Sequence, residues 1–408
     1  MGRHNPGGDA RPECCCSCGE QNPGTAGWPS PVFRLAQRVY DTRCGKNLIR
    51  FLSAICSASP GASPDDRSLA CRRCLVNRRT GGFVVIVLVA LLVLGIAPFA
   101  GGDWIVPWNN ELANSTISRQ ILLNLRLPRV LMGFVAGAAL AVGGVAFQAM
   151  FRNPLATPYT LGVASGASLG AVFSLQCGLA VSSWGFSTTA LFALCGALVT
   201  LLIVYGISFW RAELSVATML LAGVAMSFLN SSLILILQYV SDPVRAFHAF
   251  RWMLGGLEGT VGYGDLKVLW PIVTIGCLII LGIRRELNLL ALGDEWAISR
   301  GVSLLKTKAL LLFVTGLMIA SVVAICGPIG FVCLIVPHIT RLLVGPEHGR
   351  LIPAAAILGG AFLVACDTVA RTVLAPTEIP VGVITSLLGG PFFLWLLLRR
   401  PLSWEWLS

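Results

Sequence analysis

The stretch RVLMGFVAGAALAVGGVAFQAM, residues 129–150, decides the fold class. Only Arg129 and Gln148 interrupt its apolar and small side chains, so it lacks the polar stripe that faces water in a soluble helix. A helix needs about 20 such residues to cross the hydrocarbon core of a bilayer. The stretch therefore predicts a transmembrane helix.

The composition of the whole chain agrees with this prediction. Hydrophobic residues make up 55% of the 408 residues and charged residues only 12%, whereas soluble domains are about 25% charged. So few charges cannot cover the surface of a water-soluble protein of this length. The net charge of +11 is then expected in cytoplasmic loops and not at a nucleic-acid interface.

Further apolar stretches predict an all-α membrane protein of about ten transmembrane helices. The predicted spans are 83–100, 129–150, 160–180, 187–209, 214–238, 266–283, 307–326, 329–344, 352–370 and 381–398. With the N-terminus inside, the inside segments from residue 71 onward hold 15 Lys and Arg residues, and the outside segments hold seven. This bias predicts that both termini are cytoplasmic.

Residues 1–75 differ from the rest of the chain. They are rich in Cys, Gly, Pro, Ser and Arg and contain no long apolar stretch. We therefore predict a disordered extension over 1–75 and a membrane domain over 76–408. An alternative is an over-extended start site, with translation of the native protein beginning at Val76.

Eight of the 14 cysteines lie in this extension. The pairs Cys15-x-x-Cys18 and Cys71-x-x-Cys74 have the local spacing of zinc ligands. The gap between the two pairs is far longer than in compact zinc modules, so we predict no metal site. The other six cysteines lie in or beside apolar runs and are predicted to be small buried residues.

The chain carries no motif that could power transport by itself. No G-x-x-x-x-G-K-[ST] phosphate-binding loop occurs in it. Asp367 is the only carboxylate well inside a predicted span, and it forms an i, i+4 pair with Arg371. Ion-coupled carriers usually need more ionisable groups at that depth, so energy from a separate subunit is favoured. The scattered histidines argue against a membrane-embedded enzyme.

The longest inside loop, from Arg284 to Lys308, is predicted to contain a short helix. Asp294 is expected to cap its N-terminus, and Gly301 is expected to end it in a left-handed conformation. The result is a helix of about two turns over 294–300. Such a helix between two spans suits the attachment of a separate motor subunit; an ordinary amphipathic linker is the alternative.

Glycines at a spacing of four residues predict close helix packing. Gly133 and Gly137 form one such ridge, and Gly162, Gly166 and Gly170 form another. These ridges are interpreted as packing surfaces and not as substrate contacts.

Four longer segments carry a family resemblance. They are RLPRVLMGFVAGAALAVGGVAFQAMFRNPLATPYTLGVASGASLGA (126–171), ALGDEWAISRGVS (291–303), CGPIGFVCLIVPHITRLLVG (326–345) and DTVARTVLAPTEIPVGVITSLLGGPFFLWLLL (367–398). In order and spacing they resemble the FecCD-type permeases of iron-siderophore and vitamin B12 importers. The resemblance covers residues 80–400 and implies a BtuC-like permease fold.

The resemblance implies a membrane permease subunit of an ATP-binding-cassette importer in a bacterial cytoplasmic membrane. Its cargo would be an iron(III)-siderophore or a related chelate such as haem or cobalamin. The implied partners are a second permease subunit, identical or paralogous, two cytoplasmic ATPase subunits and an extracytoplasmic substrate-binding protein. The chain itself would not be an enzyme and would bind no cofactor or metal, because ATP-Mg would be held by the partner ATPase.

The resemblance also implies three sets of functional residues. The ATPase-coupling helix would include Leu292, Gly293, Asp294, Ala297, Gly301 and Val302. Docking of the binding protein would use Arg126, Arg129 and Arg371, because arginine pairs directionally with carboxylates. Snorkelling at a helix end is the alternative for Arg126 and Arg129. The translocation path would be lined by Met219, Ser227, Asn230 and Ser231, with a short outer helix over 246–255 at its mouth.

Overall fold

The computed structural model of the protein describes residues 64–101, 116–178, 182–183, 186–210, 216–257 and 263–399. The chain divides into two compact units, Met1–Arg78 with Ser408, and Arg79–Leu407. Only residues 64–78 of the first unit are described, and they are helical. The predicted extension therefore lies outside the described residues as far as residue 63.

Helices dominate the described part of the chain. In chain order the elements are α1 (Pro64–Ile96), α2 (Thr116–Ile121), a π-helical turn (Leu122–Arg126), α3 (Leu127–Phe151), a 3₁₀ turn (Pro158–Leu161), α4 (Val163–Gln176), β1 (Ser182–Ser183), β2 (Phe186–Ser187), α5 (Thr188–Trp210), α6 (Val216–Tyr239), α7 (Pro243–Met253), α8 (Tyr263–Gly282), α9 (Arg284–Leu292), α10 (Asp294–Ser299), α11 (Leu304–Cys326), α12 (Val332–Val344), α13 (His348–Thr372) and α14 (Val381–Arg399). The two short strands pair antiparallel, with Ser182 opposite Ser187.

The apolar helices of the described residues match the predicted spans. Six are long and apolar enough to cross a membrane: Arg119–Phe151, Thr188–Ser208, Ala217–Tyr239, Tyr263–Gly282, Leu304–Cys326 and His348–Thr372. Shorter apolar helices occupy Thr80–Ile96, Val163–Gln176, Val332–Val344 and Val381–Leu396. The predicted all-α membrane fold is thereby confirmed.

Two spans start later than predicted because the chain turns before them. Gly162 has φ +78° immediately before α4, and Phe331 has φ +65° immediately before α12. A left-handed residue interrupts the helical backbone, so the helix can begin only after it. The hydroxyl of Tyr159, in the 3₁₀ turn before α4, donates to the Ile329 carbonyl at 2.8 Å and joins these two irregular segments.

Helix α3 lies at the centre of the bundle and is buried along almost its entire length. It packs against α8, α11, α12 and α13. A Cβ atom on Gly137 would collide with the carbonyl oxygen of Gly359 in α13, and one on Gly144 would collide with that of Cys333 in α12. Backbones of neighbouring helices therefore touch at these positions, which small residues permit.

A second close approach joins α4 to α5. A Cβ atom on Gly166 would meet Thr200 and the Gly196 carbonyl, and one on Gly170 would collide with the Phe192 carbonyl. The predicted glycine ridges are thus confirmed as packing surfaces. The prediction that all six membrane-domain cysteines are buried is confirmed for Cys326, Cys333 and Cys366; Cys277 is half-buried, and the prediction is wrong for Cys177 and Cys195, which are exposed.

The contribution of the α3–α13 contact to the stability of the fold can be tested by substitution. Gly137→Val should lower the free energy of unfolding by about 2 kcal/mol or more, since the added atoms must push two touching backbones apart. Gly206→Val is the matched control, because a Cβ at Gly206 in α5 has no neighbour within 4 Å. The unfolding midpoints of both variants are measured by heating the protein in detergent and monitoring the folded fraction by size-exclusion chromatography. Equal midpoints for the two variants would contradict the proposed packing.

Candidate functional site

Residues 284–302 form a compact segment between the spans α8 and α11. Helix α9 ends at Gly293, which has φ +138°, and α10 follows at once. At the end of α10 the N–H of Gly301 donates to the Ile298 carbonyl at 2.9 Å, and the N–H of Val302 donates to the Ala297 carbonyl at 3.0 Å. With Gly301 at φ +82°, this is a Schellman C-cap, so the predicted role of Gly301 in helix termination is confirmed.

The predicted capping role of Asp294 is wrong. Gly293 is the N-cap residue of α10, and no side-chain hydrogen bond caps the helix. The carboxylate of Asp294 instead accepts a hydrogen bond from the Lys308 ammonium at 2.8 Å. Lys308 is almost fully buried at the start of α11, so this charge-assisted bond holds the short helix α10 against the following span.

Three large apolar residues of this segment are exposed among charged ones. Leu292 is 57% exposed, Trp296 51% and Ile298 59%. Of the other predicted coupling residues, Gly301 is exposed, Val302 is half-buried, and Gly293 and Ala297 are buried. The resemblance identified Leu292 but did not include Trp296 and Ile298; the only available signal for these two was their bulk on a helix predicted to be exposed.

Helix α9 is anchored to the bundle through Asn288 and His348. The backbone N–H and the ring Nδ1 of His348, at the start of α13, lie 3.0 and 2.6 Å from the side-chain oxygen of Asn288. Leu287 and Leu290 on the same helix are fully buried. The segment is therefore attached to the membrane helices at two points, through Asn288 and through Asp294.

The three predicted docking arginines lie near the start of α3, and two of them, Arg129 and Arg371, contact one buried carboxylate. Arg129 contacts Asp367 of α13 through Nε at 3.1 Å and Nη2 at 2.9 Å, and its Nη1 lies 2.8 Å from Glu378. Arg371 Nε lies 3.1 Å from the same carboxylate of Asp367. The expected i, i+4 pair is confirmed, and the structure adds Arg129 and Glu378 to it.

Burial distinguishes the members of this ion-pair network. The Asp367 side chain is 2% exposed, Arg371 5% and Arg129 12%, while Glu378 is 39% exposed. Arg126 donates from Nη1 to the Phe99 carbonyl at 3.2 Å. Arginines 129 and 371 are thus already paired inside this subunit, and the docking role assigned to them stays a prediction.

A cavity of about 830 Å³ opens beside the network. Its charged lining residues are Arg126, Arg129, Arg251, Arg371 and Glu378. The remaining walls are mostly apolar and come from the segment before α3, from α7 and from the chain around Pro380. Residues predicted to lie on the outer side of the membrane therefore line one positively charged cavity.

The four predicted path residues on α6 do not share a surface. Met219 and Asn230 are buried within the subunit, where Asn230 Nδ2 donates to Ser165 Oγ at 3.1 Å and to Thr200 Oγ1 at 3.2 Å. Ser227 is half-buried and donates to a carbonyl of its own helix. Only Ser231 is exposed. The path assignment stays a prediction, and two of its residues serve helix packing in this structure.

The contribution of the ion-pair network around Asp367 to stability can be tested by substitution. Asp367→Asn should lower the free energy of unfolding by about 3 kcal/mol or more, because it leaves two buried guanidinium groups without their shared anion. Glu378→Gln should have a much smaller effect, because that carboxylate is partly exposed and Asp367 still neutralises Arg129. Chemical and thermal unfolding of both variants measure the difference; an Asp367→Asn midpoint equal to that of Glu378→Gln would show that the network does not stabilise the fold.

Comparisons with known proteins agree on one family. The sequence model of the FecCD transport family matches residues 83–399. The hemin transport system permease protein HmuU of Yersinia pestis is 40% identical over 327 residues, which are 78% of this chain and 95% of that protein. The cobalamin import system permease protein BtuC of Halobacterium salinarum is 43% identical over 280 residues, 69% of this chain and 74% of that protein.

A solved structure shows the same fold. It is described as an inward-facing conformation of a metal-chelate type ABC transporter, and it aligns with a TM-score of 0.70 and 31% identity. The alignment covers 78% of this chain and 99% of the other. This chain therefore spans nearly the whole length of that structure and of HmuU.

Proposed function

Because the chain belongs to the FecCD transport family, we propose that it conducts an iron(III)-siderophore, haem or cobalamin across the cytoplasmic membrane. The chain is the permease subunit of an ABC importer and not an enzyme, since ATP is hydrolysed by separate ATPase subunits in this class of transporter. A second permease subunit, identical or paralogous, would complete the path, and ATP-Mg would be bound by the ATPases alone.

The observation that carries this proposal is the exposed apolar surface of Leu292, Trp296 and Ile298. Leu292 ends α9 and the other two lie on α10, and large exposed apolar residues close together in a segment outside the spans mark a protein-binding surface. Tryptophan at the centre of such a group is typical of residues that contribute most to binding. The anchors at Asn288 and Asp294 would transmit a force on this surface to the bundle instead of letting the segment move alone.

Substitution of Gly301, which has a left-handed backbone conformation, tests the coupling role. Gly301→Val should reduce transport several-fold while leaving ATP hydrolysis by the assembled transporter largely intact, because a β-branched residue disfavours φ +82° and would reshape the C-cap. Gly282→Val is the control, since Gly282 also has no neighbour within 4 Å but has no positive φ. Uptake and ATPase activity are measured together in proteoliposomes. Normal uptake by the Gly301→Val variant would contradict the coupling role.

Arg126, Arg129 and Arg371 are proposed to bind the substrate-binding protein on the side of the membrane opposite to the ATPase. Arg126 and Arg129 flank the first residues of α3. Arg152, at the other end of α3, approaches Gly293 of residues 284–302, which we call the coupling segment. With about 1.5 Å per residue, a 25-residue helix separates the two ends by about 37 Å. This distance exceeds the thickness of the hydrocarbon core, so the two partners would bind on different faces.

Reversal of one charge tests the docking site. Arg126→Glu should weaken binding-protein affinity about ten-fold and reduce its dependence on salt, because a carboxylate would then face the carboxylates of the partner. The reversal is confined to Arg126, since a carboxylate in place of Arg129 would lie against Asp367 and disturb the fold. Arg119→Glu, at an exposed position of α2, is the control. Calorimetric titration at two salt concentrations measures both; an unchanged affinity for Arg126→Glu would exclude this docking mode.

The transport function itself is tested by uptake in cells. A strain lacking the gene should lose accumulation of at least one labelled substrate among ferric siderophores, haemin and cobalamin, and the intact gene should restore it. Unchanged accumulation of all of them in the deletion strain would contradict the proposed function.

A further inference from the structure

Arg152 ends the central helix α3 in a backbone conformation that favours glycine. Its φ is +48° and its ψ is +34°, and its N–H donates to the Ala149 carbonyl at 3.4 Å. Within the described part of the chain, Phe331 is the only other non-glycine residue with a positive φ. Helices that end in this way usually carry glycine there, because a Cβ atom crowds the following carbonyl oxygen. An arginine at this position costs stability, which points to a function of its side chain.

We propose that Arg152 is a positioning residue for coupling. Its side chain holds the coupling segment against α3, and the turn that follows it passes movements of that segment to α6. The proposal rests on the proposed permease function and deepens it, because Arg152 belongs neither to the coupling residues nor to the docking residues that the family resemblance implies. Arg152 acts through the residues that it contacts and not on the cargo.

The contact with the coupling segment is made at Gly293, between α9 and α10. Gly293 is buried, and its φ of +138° and ψ of +154° belong to a region that only glycine readily adopts. A Cβ atom on Gly293 would lie 3.7 Å from Arg152 Nη1 and 3.7 Å from Trp296 Cδ1. The guanidinium and the indole therefore both pack beside this glycine. A displacement of Trp296, on the proposed ATPase-binding surface, would be passed to Arg152 through this contact.

The Arg152 side chain is available for this packing. Arg152 is exposed, and its guanidinium forms no hydrogen bond or ion pair within the described residues. A long basic side chain can cover neighbouring groups with its methylene stem while its charge stays in water. Packing against the coupling segment is therefore what this side chain adds, and a glycine at the end of α3 would not supply it.

The turn that follows Arg152 touches α6. The side-chain oxygen of Asn153 accepts the N–H of Leu155 at 2.9 Å and fixes the start of this turn. Further along it, the carbonyl oxygen of Thr160 occupies the place that a Cβ atom on Gly223 of α6 would need. Because the two backbones touch, the turn cannot move towards α6 without displacing it.

Helix α6 bears the residues to which the translocation path is assigned. One of them, Ser227, has its Oγ 3.4 Å from the position of a Cβ atom on Gly162, the residue that ends the same turn. A continuous set of contacts thus leads from Trp296 through Gly293 and Arg152 to α6. Such a route becomes a coupling pathway only if a change at one of its residues alters the coupling, so Arg152 is the residue to substitute.

Substitution by glycine separates a positioning role from a purely structural one. Glycine adopts a positive φ more readily than arginine does, so Arg152→Gly should not lower the midpoint of thermal unfolding by more than about 2 °C. Glycine has no side chain to pack beside Gly293, so the same variant should loosen the coupling segment. Stability and coupling should therefore respond differently to this one change.

The experiment combines hydrogen exchange of the permease with transport by the reconstituted importer. Arg152→Gly should speed amide exchange over 284–302 about ten-fold in nanodiscs. It should also lower about five-fold the number of cargo molecules taken up per ATP hydrolysed in proteoliposomes. The cargo is whichever of labelled ferric siderophore, haemin or cobalamin the intact gene restores in cells.

Two further variants serve as rescue and control. Arg152→Lys keeps a long stem and a positive charge, so it should retain about half or more of the uptake per ATP. Arg350→Ala removes an exposed arginine from the first turn of α13 and should behave like the unaltered protein in both measurements.

Three results would overturn the positioning role. They are unchanged exchange over 284–302 in Arg152→Gly, unchanged uptake per ATP in that variant, and equal losses of uptake in Arg152→Gly and Arg350→Ala. A midpoint lowered by more than about 5 °C in Arg152→Gly would assign Arg152 to the stability of the fold instead. Exchange is measured on the permease alone, so faster exchange in Arg152→Gly would support the positioning role even if the unaltered importer took up none of the three cargoes, which would contradict the proposed function.

Discussion

The structure depends on one buried carboxylate. Asp367 is buried at the Arg129 end of an apolar bundle with its side chain 2% exposed, and a charge in that position needs partners of opposite sign. Arg371 supplies one from the same helix, and Arg129 supplies the other from α3. The pairing fixes the register of α3 against α13, and the backbone contact at Gly137 and Gly359 depends on that register. Glu378 extends the network to the chain that leads into α14.

The same central helix connects the two regions for which functions are proposed, the segment 284–302 and the arginine-lined cavity. Its first residues bear the arginines around the cavity, and Arg152 at its last turn approaches Gly293 of the coupling segment. Because α3 is buried on nearly all sides, it can shift only together with its neighbours. A displacement of the coupling segment by an ATPase would therefore be passed to the bundle through Asn288, Asp294 and the packing of α3, and would reach the cavity as a movement of helices.

Local patterns were sufficient for much of this architecture. Apolar length predicted the spans, and Gly301 predicted the end of α10, because both depend on a few consecutive residues. The pairing of Arg129 with Asp367 joins residues 238 positions apart, and periodicity reports only on neighbours within one helix. Asp294 was misassigned because capping preference ignores Lys308, whose ammonium competes for the carboxylate. The sequence likewise could not predict which face of α6 is buried, because the partners of Asn230 lie on two other helices.

In the proposed mechanism the permease moves its cargo only when a separate ATPase acts on the segment 284–302. The most direct test is uptake of a labelled chelate into proteoliposomes that contain the permease, with and without the ATPase subunit, in the presence of the loaded binding protein. We expect uptake only when the ATPase and ATP-Mg are both present on the side of the segment 284–302. Uptake driven by a proton or sodium gradient in the absence of the ATPase would contradict it.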